Sequence, residues 1–319
     1  MGTLFIDRKD LHVKLDGNTL AFYINGKKEG SAPIAPLSRV IIVGNVTIDA
    51  NVLNRLASEN ISVIFLSGKN MRFCGMLHGR LHNNAIIRIR QYEKTKTDFT
   101  IEFAKSIVKN KISSQKDFLT ELLDERKDLR KQLLDTIKVL NETLVSLDCK
   151  VLDIDSLRGY EGCSAAVYFY TYTKLFPPSL NFVKRTKRPP EDPVNAMLSL
   201  CYTILHYEMV REIEINGLDP IVGFYHTFEY GRESLACDFV EPFRAKADRF
   251  VWTLFRDRTF TEDDFTYDNE RHGCYLKKTG RARFYPLVEE WKDSFRPEIK
   301  EFIRNFIRSI YNEEDVISI

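Results

Sequence analysis

Up to Gly79 the chain alternates apolar and polar positions in short runs. "TLFID", "LHVKL" and "TLAFYI" place an apolar side chain at every second position, the period of a half-buried strand. Asp16-Gly17 supplies a turn between the last two. "RVIIVG" and "ISVIFLS" are continuous apolar runs of strand length. Between them "TIDANVLNRLASEN" sets Val52, Leu53 and Leu56 on one helical face, and a further short strand is expected around "MRFCGML". The pattern then changes. From Arg80 through Arg158 there is neither glycine nor proline, which favours helix. Leu122, Leu129, Leu133, Ile137, Leu140 and Leu144 recur at three-, four- and seven-residue spacings, an amphipathic stripe explained by core packing. A later helix is punctuated by Asp192-Pro193 as N-cap and first-turn proline and by Asn216-Gly217 at its end. The chain reads as α+β, with a β-rich N-terminal domain over 1–82, a helical domain over 83–319 and the change of character near residues 80 to 92.

Composition narrows the class. At 319 residues there is room for two domains with cores of their own. A formal charge of +2 gives no global field, so a polyanion must be held by local clusters of Lys and Arg. The apolar runs are far shorter than the ~20 residues of a membrane span, and "MGTLFIDRKD" does not read as a secretory signal. Six scattered cysteines without a CxxC pair point to reduced thiols and a cytoplasmic protein.

The chemistry-bearing residues gather in two stretches. "GFYHTFEYGRESLACDFVEPFR" brings a strand-like aromatic run to His226, passes a glycine turn, and sets Asp238 and Glu241 three residues apart. If helix has begun by Asp238 the two acids share a face; Pro242 also allows a helix start near Glu241. Adjacent carboxylates repel unless a cation lies between them. "RGYEGCSAAVYFYTY" flanks Glu161 with small residues that permit close packing. One histidine with two or three carboxylates suits Mg²⁺ or Mn²⁺ better than zinc. Plainer readings stand beside this: solvated acids, a hydrogen-bonded core histidine, and an acid favoured by a helix N-terminus. His12, His78, His82, His206 and His272 show no partner pattern, and Cys163 and Cys237 read as small buried thiols. The basic runs "VKRTKRPPEDP" and "LKKTGRARFYP" offer phosphate contacts; the set taken forward is Lys184, Arg185, Lys187 and Arg188, with Arg244 after the acids.

Three motifs in order, "GYEGCSAAVYF", "KRPPEDPVNAMLSLCYTIL" and "GFYHTFEYGRESLACDFVEPFRAKADRFV", resemble those of the CRISPR-associated spacer-acquisition integrases, the Cas one family. The N-terminal "RVIIVGNVTIDANVLNRLASENISVIFLSGKNMRFCGML" and the tail "DDFTYDNERHGCYLKKTGRARFYPLVEEW" are similar to the same family, so the resemblance covers nearly the whole chain. It implies a β-rich N-terminal domain serving dimerisation and support, an all-α catalytic domain, a homodimer, and a small partner, Cas two. It implies catalytic residues Glu161, His226, Asp238 and Glu241, with Glu161, His226 and Glu241 as metal ligands and Asp238 as a supporting acid. The implied reaction joins the 3′-hydroxyl of short DNA fragments to a CRISPR repeat, with Mg²⁺ or Mn²⁺ as cofactor and double-stranded and branched DNA as substrate; with water as nucleophile the same site would cleave. Two other readings remain at this point: a non-catalytic scaffold for branched DNA, and a zinc hydrolase of a small substrate.

Overall fold

The computed structural model describes residues 2–68, 73–77, 79, 84–149, 152–187, 189–226, 229–268 and 273–311. It divides into two compact units, Met1–His82 and Asn83–Ile319.

The first unit holds two four-stranded sheets. In one, β1 (Gly2–Ile6), β5 (Leu37–Val43) and β7 (Ser62–Leu66) run parallel and β8 (Phe73–Leu77) closes the edge antiparallel. In the other, β2 (His12–Asp16), β3 (Thr19–Ile24) and β4 (Lys27–Pro33) form an antiparallel meander, and β6 (Thr47–Ile48) adds to β2 in parallel. The Asp16–Thr19 turn carries Gly17 at φ +58°. The β3–β4 turn is Asn25-Gly26, both left-handed at +49° and +80°, which matches the right-handed twist of a hairpin. β4 escapes an apolar-pattern reading because it is polar and almost wholly exposed. Helix α1 (Ala50–Ser58) buries Val52 and Leu56 against Val13, Leu20, Val40, Ile42 and Val63 of the sheets, in one core.

The second unit is built from α2 (Ala85–Lys94), α3 (Phe99–Glu125), α4 (Arg130–Cys149), α5 (Ile154–Thr173), α6 (Pro193–Ile215), α7 (Ser234–Val240), α8 (Arg244–Arg256) and α9 (Lys278–Ile310). A short hairpin of β9 (Phe265–Asp268) and β10 (Gly273–Leu276) interrupts the helices, so this unit is mostly rather than wholly α. The leucine stripe is not continuous. Arg126 leaves helical geometry at φ −120°, ψ 64°, and its guanidinium bonds Asp128 and the Leu175 carbonyl; Leu122 therefore belongs to α3 and Leu133 and Leu140 to α4. Asp192 caps α6 by accepting the Asn195 N–H at 2.8 Å, with Pro193 in the first turn. None of the described helices is long and apolar enough to cross a membrane.

Candidate active site

One buried carboxylate organises the site. Asp238, on α7, has 0% exposure. It accepts the backbone N–H groups of Phe224 at 2.6 Å, Tyr225 at 3.0 Å and His226 at 2.9 Å, and the His226 Nδ1–H at 2.7 Å. Here the structure corrects the expectation of a strand before His226. Three successive donors that a strand would spend on a ladder all converge on one side chain, so residues 223–226 bend around it. The turn is anchored from behind by the Phe224 ring, 5.4 Å from both Phe99 and Phe103 and 5.6 Å from Phe306. Gly223 lets the chain come this close: a Cβ there would lie 2.7 Å from the Ser234 carbonyl carbon and 2.8 Å from Asp238 Oδ2. Gln91 on α2 pins the preceding loop, donating to the carbonyls of Asp219 and Val222 and accepting the Asp219 N–H.

With Asp238 accepting from Nδ1–H, a neutral His226 ring carries its one proton there and leaves its lone pair on Nε2. That nitrogen lies 4.0 Å from Glu241 Oε1. Both readings of the acid pair find a place: Asp238 lies in the last full turn of α7, and Glu241 opens a 3₁₀ turn with Pro242 before α8 starts. Glu161 comes from the middle of α5, not from its N-terminus. Its Oε2 accepts from the Tyr225 hydroxyl at 2.8 Å, and its Oε1 meets the ammonium of Lys111 on α3. The same ammonium is 2.5 Å from Glu241 Oε2, and Arg244 Nε donates to Glu241 Oε1 at 2.9 Å.

The electrostatics follow from that packing. Burial alone would raise the Glu241 carboxyl, but the Arg244 and Lys111 charges overcome it and hold the group well below the ordinary carboxylate range. Burial likewise works against the Lys111 ammonium, and Glu241 and Glu161 reverse it. The Tyr225 hydroxyl is pushed up by burial and by the Glu161 charge. Behind Arg244 lies an ordered polar layer: its guanidinium stands 4.7 Å from the Tyr202 ring centre, and the Tyr202 hydroxyl donates to buried Asp248. Tyr168 donates to the other Asp248 oxygen at 2.8 Å, and burial raises the Asp248 carboxyl to about 6. Among the described residues, no three His, Cys, Asp or Glu side chains are gathered as a ready metal cluster; the cation between Glu161 and Glu241 is Lys111.

The family model "CRISPR associated protein Cas1" matches residues 4–290. A curated protein of Thermodesulfovibrio yellowstonii, CRISPR-associated endonuclease Cas1 1, is 52% identical over 318 residues, covering 100% of each chain. The chain belongs to the Cas1 family. Among solved structures, a casposase bound to integration product superposes with a TM-score of 0.83 at 21% identity, over 97% of this chain and 90% of that one. A chain of a Cas6-RT-Cas1–Cas2 complex superposes at 0.78 with 22% identity, over 97% of this chain and 35% of that one. Both share the α+β fold of this Cas1 protein.

Within this Cas1 chain, the four residues selected from sequence are thus brought together from α5, the 223–226 turn, α7 and the 3₁₀ turn after it. The basic residues divide. Arg244 is spent on Glu241 and Tyr202, and Arg185 on Asn195 Oδ1 at 2.8 Å, Ser199 Oγ at 3.1 Å and the Thr186 carbonyl. Lys184 and Lys187 are exposed, and desolvation, Arg244 and Arg185 lower the Lys187 ammonium. Arg188 lies outside the described residues, as do His78, His82 and His272. His206 does have a partner: Nε2 sits 3.3 Å from Glu233 Oε2. Cys163 is exposed and Cys237 half-buried. Sequence reasoning missed Lys111, Tyr225 and Gln91; the "GFYH" motif contained Tyr225, but no local pattern marks Lys111 or Gln91.

Proposed function

We propose that this Cas1 protein is a divalent-metal-dependent DNA endonuclease and integrase, joining the 3′-hydroxyl of short DNA fragments to a CRISPR repeat by phosphodiester transesterification. The observation that carries the reading is that Glu161 and Glu241, from separate elements, share one ammonium while His226 Nε2 lies 4.0 Å from Glu241 and Asp238 aims the imidazole. The donor set suits a hard-to-borderline divalent ion: two carboxylates that already attract a cation between them, and one imidazole nitrogen 4.0 Å from Glu241. Glu161, His226 Nε2 and Glu241 would hold Mg²⁺ or Mn²⁺. When bound, the ion supplies charge neutralisation at the phosphoryl and departing O3′ oxygens.

The chain's own residues do the remainder. Asp238 fixes the His226 tautomer and ring orientation, Tyr225 holds one oxygen of Glu161, and Arg244 holds one oxygen of Glu241. The attacking 3′-oxygen forms one P–O bond as the repeat's P–O3′ bond breaks, so phosphodiester number is conserved; with water as attacker the outcome is cleavage. Lys184 and Lys187, exposed on the segment before α6, are the described members of the basic set able to meet DNA phosphates, and salt should weaken that binding steeply. The relatives' names support DNA integration and assembly with Cas2. We extend both to this chain, together with a homodimer, a cytoplasmic location and binding of double-stranded and branched DNA.

The deciding experiment is strand joining on a supercoiled repeat-containing plasmid with Mg²⁺ or Mn²⁺, with chelator, and with Glu161→Ala. Loss of joining with retained DNA binding supports the enzyme. Joining that persists in chelator, or in Glu161→Ala, overturns it.

A further inference from the structure

Lys111 occupies a place that nothing in the reaction as described above explains. It is the cation of the site: its Nζ reaches both Glu161 Oε1 and Glu241 Oε2, the latter at 2.5 Å, and its side chain is only 10% exposed. The two remaining carboxylate oxygens are held by other groups, Glu161 Oε2 by the Tyr225 hydroxyl and Glu241 Oε1 by Arg244 Nε. An ion lying between Glu161 and Glu241 therefore competes for the same two oxygens that Lys111 now holds. Charge makes the competition sharper. Glu161, Glu241, Lys111 and Arg244 together sum to zero, so a divalent ion placed among them meets a neighbouring ammonium that repels it. A lysine is suited to yield, being a compact point charge on a flexible four-carbon stem, whereas the Arg244 guanidinium is fixed over the Tyr202 ring.

We propose that Lys111 is a positioning residue that acts as an internal counter-ion: in the metal-free protein its ammonium holds Glu161 and Glu241 together, and on loading it exchanges for the divalent ion. This rests on the metal-dependent reading above. The displaced ammonium stays tethered at the rim of the site, where the natural anion for it is a phosphate oxygen of the DNA. The arrangement keeps two facing carboxylates from repelling each other before the ion arrives. It also places a competing cation on the path of metal binding.

The test is Mn²⁺ titration of the full chain by calorimetry and by the free-ion paramagnetic signal, with thermal melting in chelator and in Mn²⁺. Wild type and Glu161→Gln are measured first; if Mn²⁺ binding does not depend on Glu161, the metal reading itself has failed and Lys111 is not at issue. With that dependence in hand, Lys111→Met is expected to bind Mn²⁺ at least ten-fold tighter than wild type. It should melt lower than wild type in chelator and regain most of the difference in Mn²⁺, a pattern that a purely structural lysine would not give. Unchanged or weaker Mn²⁺ affinity in Lys111→Met overturns the exchange. Should that variant not fold, the crystal structure of Mn²⁺-loaded wild type decides: Lys111 Nζ parted from at least one of the two carboxylates upholds the proposal, and both contacts retained beside the ion refutes it.

Discussion

Asp238→Asn isolates the role of the buried carboxylate with almost no change in shape. Each Asp238 oxygen serves two donors: Oδ2 takes the Phe224 and Tyr225 N–H groups, and Oδ1 takes the His226 N–H and Nδ1–H. An asparagine has one accepting oxygen and one donating NH₂. With the NH₂ at the Oδ2 position, two buried backbone donors face a donor. With it at the Oδ1 position only one does, because His226 can move its proton to Nε2 and accept at Nδ1. The second arrangement is favoured by about one unmade buried hydrogen bond, ~1–3 kcal/mol. The variant should therefore fold, lose ~1–3 kcal/mol of stability from the one orphaned N–H, and melt roughly 2–12 °C lower. Its larger effect is chemical. The Nε2 lone pair that faces Glu241 becomes an N–H, so Mn²⁺ affinity and strand joining should each fall ~10–100-fold, the usual range for loss of an orienting partner behind a ligand. Nitrogen NMR of labelled histidine reads the tautomer directly, beside Mn²⁺ titration and the plasmid joining assay. The reasoning is refuted if His226 keeps its proton on Nδ1 in the variant, or if joining stays within two-fold of wild type while the tautomer has switched.

Three further outcomes are expected. Gly223→Ala places a methyl against the Ser234 carbonyl carbon and Asp238 Oδ2 at under 3 Å, and should cost ~1–3 kcal/mol in melting experiments while lowering strand joining; an unchanged melting temperature would show that the 223–226 turn can shift freely. Glu241 is held below its ordinary value of 4.5 in the fold, so it contributes stability above that pH that drains as acid protonates it; in Arg244→Gln, acid unfolding should begin at higher pH. His206 runs the other way: burial lowers it, but Cys237 and Glu233 outweigh burial and raise it from 6.5 to about 9, so its contribution is complete below pH 6.5 and is lost as pH rises through 9. Melting between pH 6 and 10 should show that loss, at most ~3 kcal/mol, and His206→Gln should flatten it.

What the sequence discloses here depends on whether a signal is local. The β3 strand, α1 and the capped α6 follow from alternation, helical period and Asp192-Pro193, because each is decided by neighbours within a few residues. β4 has its signal too, in Asn25-Gly26, but its polar face hides it from any pattern of burial. "GFYH" misleads for a physical reason: an aromatic run looks like a strand until the destination of its N–H groups is known, and that destination, Asp238, lies beyond a turn. Asp238 and Glu241 are paired by their three-residue spacing in one stretch with His226, whereas Glu161 joins them only by resemblance and by the cost of an unpaired acid, since nothing local ties α5 to α7. Lys111 was beyond both routes. In "VKNKISS" a lysine reads as the solvent-facing member of α3, and hydropathy has no means of burying it between Ile107 and Ile112. Only Glu161 and Glu241, contributed by other elements, make a buried ammonium stable there. That a cation must lie among the acids was thus legible, though between Asp238 and Glu241, whereas the fold satisfies Asp238 with N–H groups and sets the cation between Glu161 and Glu241. Which cation the fold supplies was not legible, because the answer lies in a third helix whose own pattern gives no reason to look inward.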